Sequence, residues 1–526
     1  MGKTSVTVDN IRVPLSADDG DITEAARKIL RRGGVPFDES SLRIRKKSVD
    51  ARKKNNITFV CSVSAECIEN SVRRPQIPGV RYFGFEDEIP ARGDETMDGR
   101  PYIVGFGPAG MFCALILAEN GMRPVVVERG SDVRRRVEKV ENFYRAGILD
   151  TNTNIQFGAG GAGTFSDGKL ITRIGDRRTE KVLRALVSFG APDDILWKAK
   201  PHVGTDILRI VIENAAAKIA EFGGEIRYDS TVQAVADGKI KIDGQWEKCG
   251  CAVVAPGHSA RDLYSSLMSG GYIMEAKPFS VGVRAEHLQA ELDHAMYGDE
   301  SVWEKAGHAE YALSLRRGER GVYTFCMCPG GEVVAAASEE GGVVTNGMSR
   351  RMRDSGKANA AVAVSVLPSD FGNNPMGAVE FQRHLERAAF KAGGGDYSAP
   401  CQSMGNFYMG REGGFSDRIL PSYMNSRVKA ADFNKLLPQY IVSMLKEGFA
   451  DFGRKIKGYN APDGPLTGIE TRTSAPLRIL RDDSMCAIGH SLVFPCGEGA
   501  GSAGGITSAA VDGIRVAEAI LGRFKA

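Results

Sequence analysis

Two stretches near residue 100 decide the fold: residues 102–121 read YIVGFGPAGMFCALILAENG, and residues 124–130 read PVVVERG. Gly105, Gly107 and Gly110 form a GxGxxG between an apolar strand pattern and a helical pattern. These glycines permit a tight turn, let a pyrophosphate approach the backbone and let the helix pack closely on the strand. The helix N-terminus adds unpaired N–H groups and a positive dipole end, so the segment predicts a dinucleotide site.

The second predicted strand ends on Glu128, near the spacing of about 20 residues at which a carboxylate accepts hydrogen bonds from ribose hydroxyls. Strand, glycine turn, helix, second strand and acid are all in register, which predicts a Rossmann-type domain. Pro108 and Ala109 in the turn, and Arg129 after the acid, join the three glycines as candidate cofactor-binding residues.

Composition predicts a globular protein of several domains. The chain has 526 residues, with 42% hydrophobic and 25% charged residues and a net charge of +3, whereas a single core rarely grows beyond about 250–300 residues. The near-neutral balance makes a nucleic-acid partner unlikely, and no apolar run is long enough to cross a membrane. The absence of a signal-like start and of CxxC pairs predicts a cytoplasmic location.

Periodicity divides the chain into four segments and predicts the α/β class with an α+β substrate domain. Residues 1–96 form a small α/β domain plus linker, and residues 97–275 a Rossmann-like dinucleotide-binding domain. Residues 276–475 form an inserted substrate or cap domain of mixed β-structure, and residues 476–526 return to the cofactor domain. In the N-terminal part we expect a strand at residues 5–13, a helix at 21–32, paired strands at 42–49 and 57–63, and a linker at 69–100. Further along we expect a second strand pair at 225–228 and 231–235 and a basic helix at 436–452.

Three further glycine-rich segments point to FAD rather than NAD. Residues 252–257 (AVVAPG) are an apolar strand that closes on a glycine turn, and residues 156–169 (QFGAGGAGTFSDGK) form a loop whose backbone N–H groups suit a phosphate or ring. In residues 492–506 (LVFPCGEGAGSAGGI), Glu498 can accept from a ribityl hydroxyl and a helix begins beside the flavin ring. Val232 in a predicted strand is a further candidate cofactor-binding residue. The three segments themselves supply Gly161, Gly163, Thr164, Ser166, Lys169, Gly257, Gly497, Glu498, Gly504, Gly505 and Ile506.

With these motifs the chain resembles FAD-dependent oxidoreductases of the glutathione-reductase-like superfamily. It is most similar to a branch of uncharacterised bacterial FAD-dependent, or NAD(P)/FAD-dependent, dehydrogenases. The motifs that carry this resemblance are KKSVDARKK, GGAGTFSDGKL, KPFSVGVRAEH, FCMCPGGEVVAAASEEGGVVTNGMS and GIETRTSAPLRI, at residues 46–54, 160–170, 277–287, 325–349 and 468–479. The resemblance implies FAD binding, a redox role and a small N-terminal α/β domain, but it names no substrate. Glu498 stands where the superfamily more often has Asp.

Candidate catalytic residues come from the polar positions of these motifs. Arg284 could clamp an anion, His287 could act as acid or base, and Arg472 is a similar candidate, although His287 is at least as well explained as a structural histidine. The CxC pairs have no histidines at zinc spacing, so no metal site is predicted. Inert packed thiols are favoured over reactive ones for Cys326, Cys328 and Cys496.

The expected function is an FAD-dependent oxidoreductase that transfers hydride at flavin N5 on a small molecule. No second GxGxxG is present, so NAD(P)H would bind only transiently, or the substrate itself would reduce the flavin. An RNA-acting flavoprotein is the alternative, with the basic residues 43–54 as the RNA contact, although a solvated strand face is favoured there. In a third hypothesis FAD is structural and the protein is a binding or sensor module. The substrate and the oligomeric state stay open.

Overall fold

A computed structural model describes residues 4–68, 75–84, 92–299 and 302–525. Its N-terminal part is a four-stranded antiparallel sheet with one helix packed on it. The helix buries Ile22, Ala26 and Leu30 against the apolar side chains of the strands. The elements are β1 (Thr4–Pro14), α1 (Asp19–Arg32), β2 (Arg43–Asp50), β3 (Thr58–Glu66) and β4 (Val80–Gly84), and the strand order is β2-β3-β1-β4.

The first strand and the paired strands are confirmed, and two details differ from expectation. Helix α1 begins two residues early because the Asp18 side chain accepts a hydrogen bond from the Asp21 N–H and caps the helix. Part of the expected linker is strand β4, which pairs antiparallel with β1. Residues 69–74 and 85–91 of that linker lie outside the described residues.

The second part contains β5 (Pro101–Val104), α2 (Pro108–Glu119), β6 (Val125–Val127), α3 (Val133–Ala146), α4 (Arg178–Ser188), α5 (Thr205–Glu221), β7 (Glu225–Arg227), β8 (Val232–Ala236), β9 (Lys239–Ile242), β10 (Gln245–Lys248), β11 (Cys251–Val254), α6 (Arg261–Ser269) and β12 (Met274–Ala276). The expected pairing of residues 225–228 with 231–235 is wrong. Strand β7 instead extends a parallel sheet beside β6, whereas β8 joins β9 and β10 in a separate antiparallel sheet.

The third part contains β13 (Phe279–Leu288), α7 (Gln289–Tyr297), α8 (Val302–Ala306), β14 (Ser314–Arg317), β15 (Arg320–Cys328), β16 (Glu332–Ala335), β17 (Thr345–Met348), β18 (Lys357–Val366), α9 (Pro375–Ala392), β19 (Ala399–Ser403), α10 (Met404–Met409), β20 (Val428–Ala430), α11 (Phe433–Leu436), α12 (Gln439–Lys455) and β21 (Pro465–Glu470). Seven of its strands form a mixed sheet in the order β14-β15-β18-β13-β21-β19-β20. Helix α12 confirms the expected basic helix, and α9 was not anticipated.

The last part contains β22 (Leu477–Ile479), β23 (Val493–Pro495) and α13 (Ile506–Arg523). Strand β23 pairs parallel with β11 and completes a five-stranded parallel sheet in the order β23-β11-β5-β6-β7. The chain therefore returns to its first nucleotide-type sheet after the mixed sheet. Among the described residues, none of the helices combines the length and the apolar character that a bilayer crossing needs.

Candidate cofactor site

An open cleft with a cavity volume of about 360 Å³ lies between the carboxyl ends of the parallel strands and the mixed sheet. Position at this edge is typical of ligand sites in open α/β sheets. Its walls come from segments that are up to several hundred residues apart in the sequence. The predicted site residues that line it are Gly105, Gly107, Pro108, Ala109, Glu128, Arg129, Gly161, Gly163, Ser166, Lys169, Val232, Gly257, Arg472, Glu498, Gly504, Gly505 and Ile506.

Three predicted cofactor-binding residues support the cleft from behind rather than lining it. A Cβ on Gly110 would lie 2.0 Å from the Gly105 carbonyl oxygen, so glycine is needed for helix α2 to pack on its strand. The Thr164 hydroxyl donates to the Ala159 carbonyl inside the glycine-rich loop. The Gly497 N–H donates to the Asp512 carboxylate, which fixes the last turn before α13.

The first glycine turn presents a helix start to the cleft. Gly105 has φ of +94°, and a Cβ there would lie 2.4 Å from the Ala255 carbonyl oxygen. Helix α2 begins at Pro108 after Gly107, and no side chain caps its N-terminus. The first N–H groups and the positive end of the helix dipole therefore face the cleft, which is the usual environment for a phosphate.

Glu128 is held firmly at the adjacent strand end. Its Oε1 accepts from the N–H groups of Gly130 and Gly158, both at 2.9 Å, and its Oε2 accepts from the Phe106 N–H at 2.8 Å. A carboxylate offers about four acceptor positions, so Oε2 keeps one for a further donor. Next to Glu128, Arg129 forms an ion pair with Asp262, and its guanidinium lies over the ring of Phe157.

The glycine-rich loop is held by hydrogen bonds from a buried arginine. The guanidinium of Arg136, which is fully buried, donates to the carbonyls of Asn154, Ala159 and Gly161. Burial lowers the pKa of Arg136 to about 9. A Cβ on Gly161 would lie 3.0 Å from the Gly107 Cα, so the loop and the first glycine turn touch across one end of the cleft.

The C-terminal segment contributes an acid and a second helix start. Burial raises the pKa of Glu498 to about 7, although Lys277 opposes the shift. Within the part of the chain that the structure describes, no hydrogen-bond donor to the Glu498 side chain is found. Helix α13 begins at Ile506 after Gly505, again without a side-chain cap. The cleft thus has an uncapped helix start on each of two walls and an unpartnered carboxyl group beside the second.

Arg472 lines the cleft, but its guanidinium is already engaged. Its Nε and Nη2 donate to Glu386 at 3.2 and 3.0 Å, and its Nη1 donates to the hydroxyls of Ser259 and Ser338. Glu386 also accepts from Arg261. Burial raises the pKa of Glu386, but the charges and hydrogen bonds of the two guanidinium groups outweigh it and hold that pKa far below its usual range. Four of the five N–H groups of Arg472 are therefore used to hold this wall in place.

Arg284 and His287, the other two candidate catalytic residues, lie on β13 and have separate partners. The fully buried Arg284 donates to both oxygens of Glu470 beneath the cleft. Glu286 accepts from Ser422, and His287 lies within hydrogen-bond distance of the Tyr459 carbonyl, 2.8 Å from its Nε2. Neither Arg284 nor His287 lines the cleft.

Several residues that line the mixed-sheet end were not predicted as site residues. They come from short stretches around β15, β17 and the end of β21, and the prominent ones are Phe325, Cys326, Asn346, Glu470 and Thr473. Cys326 was considered and judged inert from the sequence, yet it is half-buried at the cleft wall. The motifs at residues 325–349 and 468–479 were the available signal, since both contain these positions.

Comparison with known proteins places these observations in a family. Residues 278–473 match the family model described as FAD-dependent protein, C-terminal domain-like, and residues 6–66 match a domain of unknown function. An uncharacterised protein of Clostridium beijerinckii is 45% identical over 533 residues, covering 99% of each chain. The chain belongs to the same family as this clostridial protein. Within this chain, residues 278–473 are similar to the C-terminal domain of FAD-dependent proteins.

Similarity to solved structures is more distant. CtdE in complex with FAD is 11% identical, covers 81% of this chain and 84% of its own, and has a TM-score of 0.32. L-Amino acid deaminase from Proteus vulgaris is 13% identical, with 83% and 97% coverage and a TM-score of 0.33. Glycine oxidase from Bacillus cereus is 10% identical, with 81% and 98% coverage and a TM-score of 0.31. Scores this low carry no argument about the reaction.

Proposed function

We propose that the protein is an FAD-dependent oxidoreductase that transfers hydride at flavin N5 to or from a small molecule. The observation that supports this best is the convergence of two uncapped helix starts and two carboxyl groups on one cleft. Gly107 and Pro108 at the first helix start would hold the pyrophosphate, and Glu128 a ribose hydroxyl through its free acceptor position. Glu498 has no donor of its own and would accept from the ribityl chain.

This assignment gives the cleft a direction. The adenosine half would lie toward Glu128 and Val232, so the flavin ring would lie toward the mixed sheet and the start of α13. When bound, FAD supplies the hydride chemistry, and the protein supplies position and electrostatics. The α13 N-terminus, at Gly504 to Ile506, would stabilise negative charge on the reduced ring by about 0.3–1 kcal/mol or more.

The mixed sheet supplies the substrate wall. Phe325 is exposed at 36% and lines the cleft together with Ile171, which gives this end an apolar face. Asn346 and Thr473 contribute polar groups at the same end. This combination suits a small molecule with an apolar body and few polar groups. We propose NAD(P)H only as a transient electron donor, because the described residues contain a single parallel nucleotide-type sheet.

The RNA-acting alternative gains no support from the basic segment. Arg45 donates to both oxygens of Glu180, Lys47 pairs with Asp19, and Lys54 donates to the Ala295 carbonyl. Strand β2 also bonds through its backbone to the chain around residue 198. Arg45 and Lys54 thus bind the rest of the molecule, and Lys47 binds helix α1 of its own domain, so these three cations are not a free surface for nucleic acid.

A flavin titration tests the proposal. The purified protein should bind FAD, and anaerobic addition of NADH or NADPH should bleach the flavin absorbance with one nicotinamide only. A protein that takes up no FAD would overturn the assignment of the cleft. Flavin that binds but resists reduction even by dithionite would instead favour a structural role for FAD.

A further inference from the structure

We propose that Cys326 and Cys328 form a redox-active dithiol that exchanges two electrons with the flavin in the cleft. The proposal rests on the proposed function, because the flavin is the oxidant and reductant of the pair. It gives the protein a two-electron store on the substrate wall, in addition to the cofactor itself.

The backbone of β15 puts the two thiols in different places. Phe325 pairs with Ala361 and Cys328 pairs with Asn359 on strand β18. Strand β15 therefore has one residue more than β18 between these two pairs, and it forms a bulge there. Cys326 lies in that bulge with a backbone φ of +45°, a conformation that residues other than glycine rarely adopt. As a result Phe325 and Cys326 both line the cleft, whereas Cys328 is fully buried behind them.

The two cysteine side chains interact with each other within this bulge. The Cys328 S–H lies 3.3 Å from the carbonyl oxygen of Cys326, so its side chain folds back over the preceding turn. Arg284 donates to the same Cys326 carbonyl at 3.0 Å, which fixes the backbone from below. The bulge thus holds one sulfur at the cleft and the other directly behind it, as a nucleophile and a resolving thiol require.

Charges around the pair favour a thiolate at the outer position. A hydrogen bond from Cys328 lowers the pKa of Cys326, and so do the Arg284 guanidinium and the Lys169 ammonium, whereas burial and Asp167 act in the opposite direction. The hydrogen bond and burial raise the pKa of Cys328 well above its usual value. Reactive cysteines are typically of the first kind and inert ones of the second.

The CxC spacing does not by itself produce the environment of Cys326 and Cys328, because a second pair with the same spacing lies in different surroundings. Cys249 and Cys251 are both buried in the core, and burial raises both of their pKa values. Neither lines the cleft. Cys496 does line the cleft, but it is fully buried and its pKa is also raised. The pair Cys249 and Cys251 therefore serves as an internal control with identical spacing.

The proposed step is balanced. An S–S bond forms between the Cys326 thiolate and the Cys328 thiol, and the S–H bond of Cys328 breaks. The pair loses two electrons and one proton, which oxidised FAD takes up to give the anionic reduced flavin. In the reverse direction, reduced flavin returns the two electrons and the proton, the S–S bond breaks, and the Cys326 thiolate and the Cys328 thiol are restored.

Peptide mapping of the full-length protein tests the proposal without any variant. Trypsin releases residues 321–350 with Cys326 and Cys328 as their only cysteines, and residues 249–261 with Cys249 and Cys251. The apoprotein is fully reduced, freed of reductant and given one equivalent of FAD without oxygen, and free thiols are then alkylated. We expect the flavin absorbance to bleach and peptide 321–350 to lack alkyl groups and be lighter by two hydrogens. Peptide 249–261 should carry two alkyl groups.

The outcomes separate this proposal from the proposed function. If FAD does not bind, the proposed function fails. If FAD binds and stays oxidised while peptide 321–350 takes two alkyl groups, only the dithiol is overturned. Cys326→Ser and Cys328→Ser should each bind FAD and leave it oxidised under the same conditions, whereas Cys249→Ser should behave like the wild type.

Alkylation kinetics provide an independent measurement. At neutral pH iodoacetamide should modify Cys326 at least tenfold faster than Cys249, because a lowered pKa leaves more thiolate. The Cys326 rate should also persist at a pH at which an ordinary thiol has become unreactive. Equal rates for the two residues at neutral pH would contradict the thiolate assignment.

Discussion

Glu498→Gln should stabilise the apoprotein and weaken FAD binding in the same variant. Burial raises the pKa of Glu498 from 4.5 to about 7, so ionising this carboxyl group costs folding free energy. At about 1.36 kcal/mol per pH unit the cost has an upper bound of roughly 3 kcal/mol. Because the side chain is only partly buried, solvent reduces this to about 1–2 kcal/mol.

The sign of the pH dependence follows from the raised pKa. The folded protein binds the Glu498 proton more tightly than the unfolded chain, so this residue's contribution to stability falls as pH rises from about 4.5 to about 7. Glutamine does not titrate, so the variant should exceed the wild type by the full amount above pH 7 and by little near pH 5. Urea unfolding of the two apoproteins at pH 5 and pH 8 measures the difference.

FAD affinity should change in the opposite direction. Loss of a charged acceptor for a ribityl hydroxyl should cost about 2 kcal/mol at pH 8, which is about a 30-fold rise in Kd. The exposed Glu319 has no charge partner or hydrogen bond in the described part of the chain, so Glu319→Gln is the matched control and should change neither property. A Glu498→Gln protein that is less stable than wild type at pH 8, or that binds FAD equally well, would refute the reasoning.

Three further predictions concern packing and ion pairs. Gly110→Val should destabilise the protein by more than about 2 kcal/mol in thermal or urea unfolding and abolish FAD uptake, because its Cβ would lie 2.0 Å from the Gly105 carbonyl oxygen. The control Gly175→Ala has open space around the added Cβ and should be neutral. Arg284→Met should cost about 3–5 kcal/mol of unfolding free energy by leaving the Glu470 carboxylate buried without its partner, and Arg284→Met combined with Glu470→Met should recover most of that loss. Arg45→Ala should cost at most about 1 kcal/mol but should speed proteolytic release of the N-terminal sheet; unchanged proteolysis would show that this pair does not hold the sheet in place.

The strand–turn–helix–strand end of the cleft was predictable because its sequence pattern is local. Gly105, Gly107 and Glu128 lie within one short strand–turn–helix–strand unit, and each residue type has a single geometric reason to be there. The split between β7 and β8 was not predictable in the same way. Two short apolar runs separated by a turn look like a hairpin, and only the parallel edge beside β6 selects the other arrangement.

The substrate wall was less predictable because it is assembled from distant strands. Strand β13 is the centre of the seven-stranded sheet and is buried on both faces, so the alternation of its residues cannot show which side chains reach the cleft. Arg284 and His287 were therefore chosen for their chemistry and not for their position. Helix α9 had usable signals in Asn374 and Pro375, which cap and start it.

The charge balance of the cleft limits what it can recognise. Arg472 forms an ion pair with Glu386, Arg129 with Asp262, and Arg353 with Asp167. The charges of these groups therefore neutralise each other within the protein. Lys169 is the exception among the cleft cations, because its Nζ is 3.6 Å from Glu310 and makes only a loose pair. A strongly anionic substrate would therefore depend on Lys169 and the helix starts alone. The same cation stabilises a thiolate at Cys326, so a bound anion beside Lys169 would raise the pKa of that thiol and slow its alkylation.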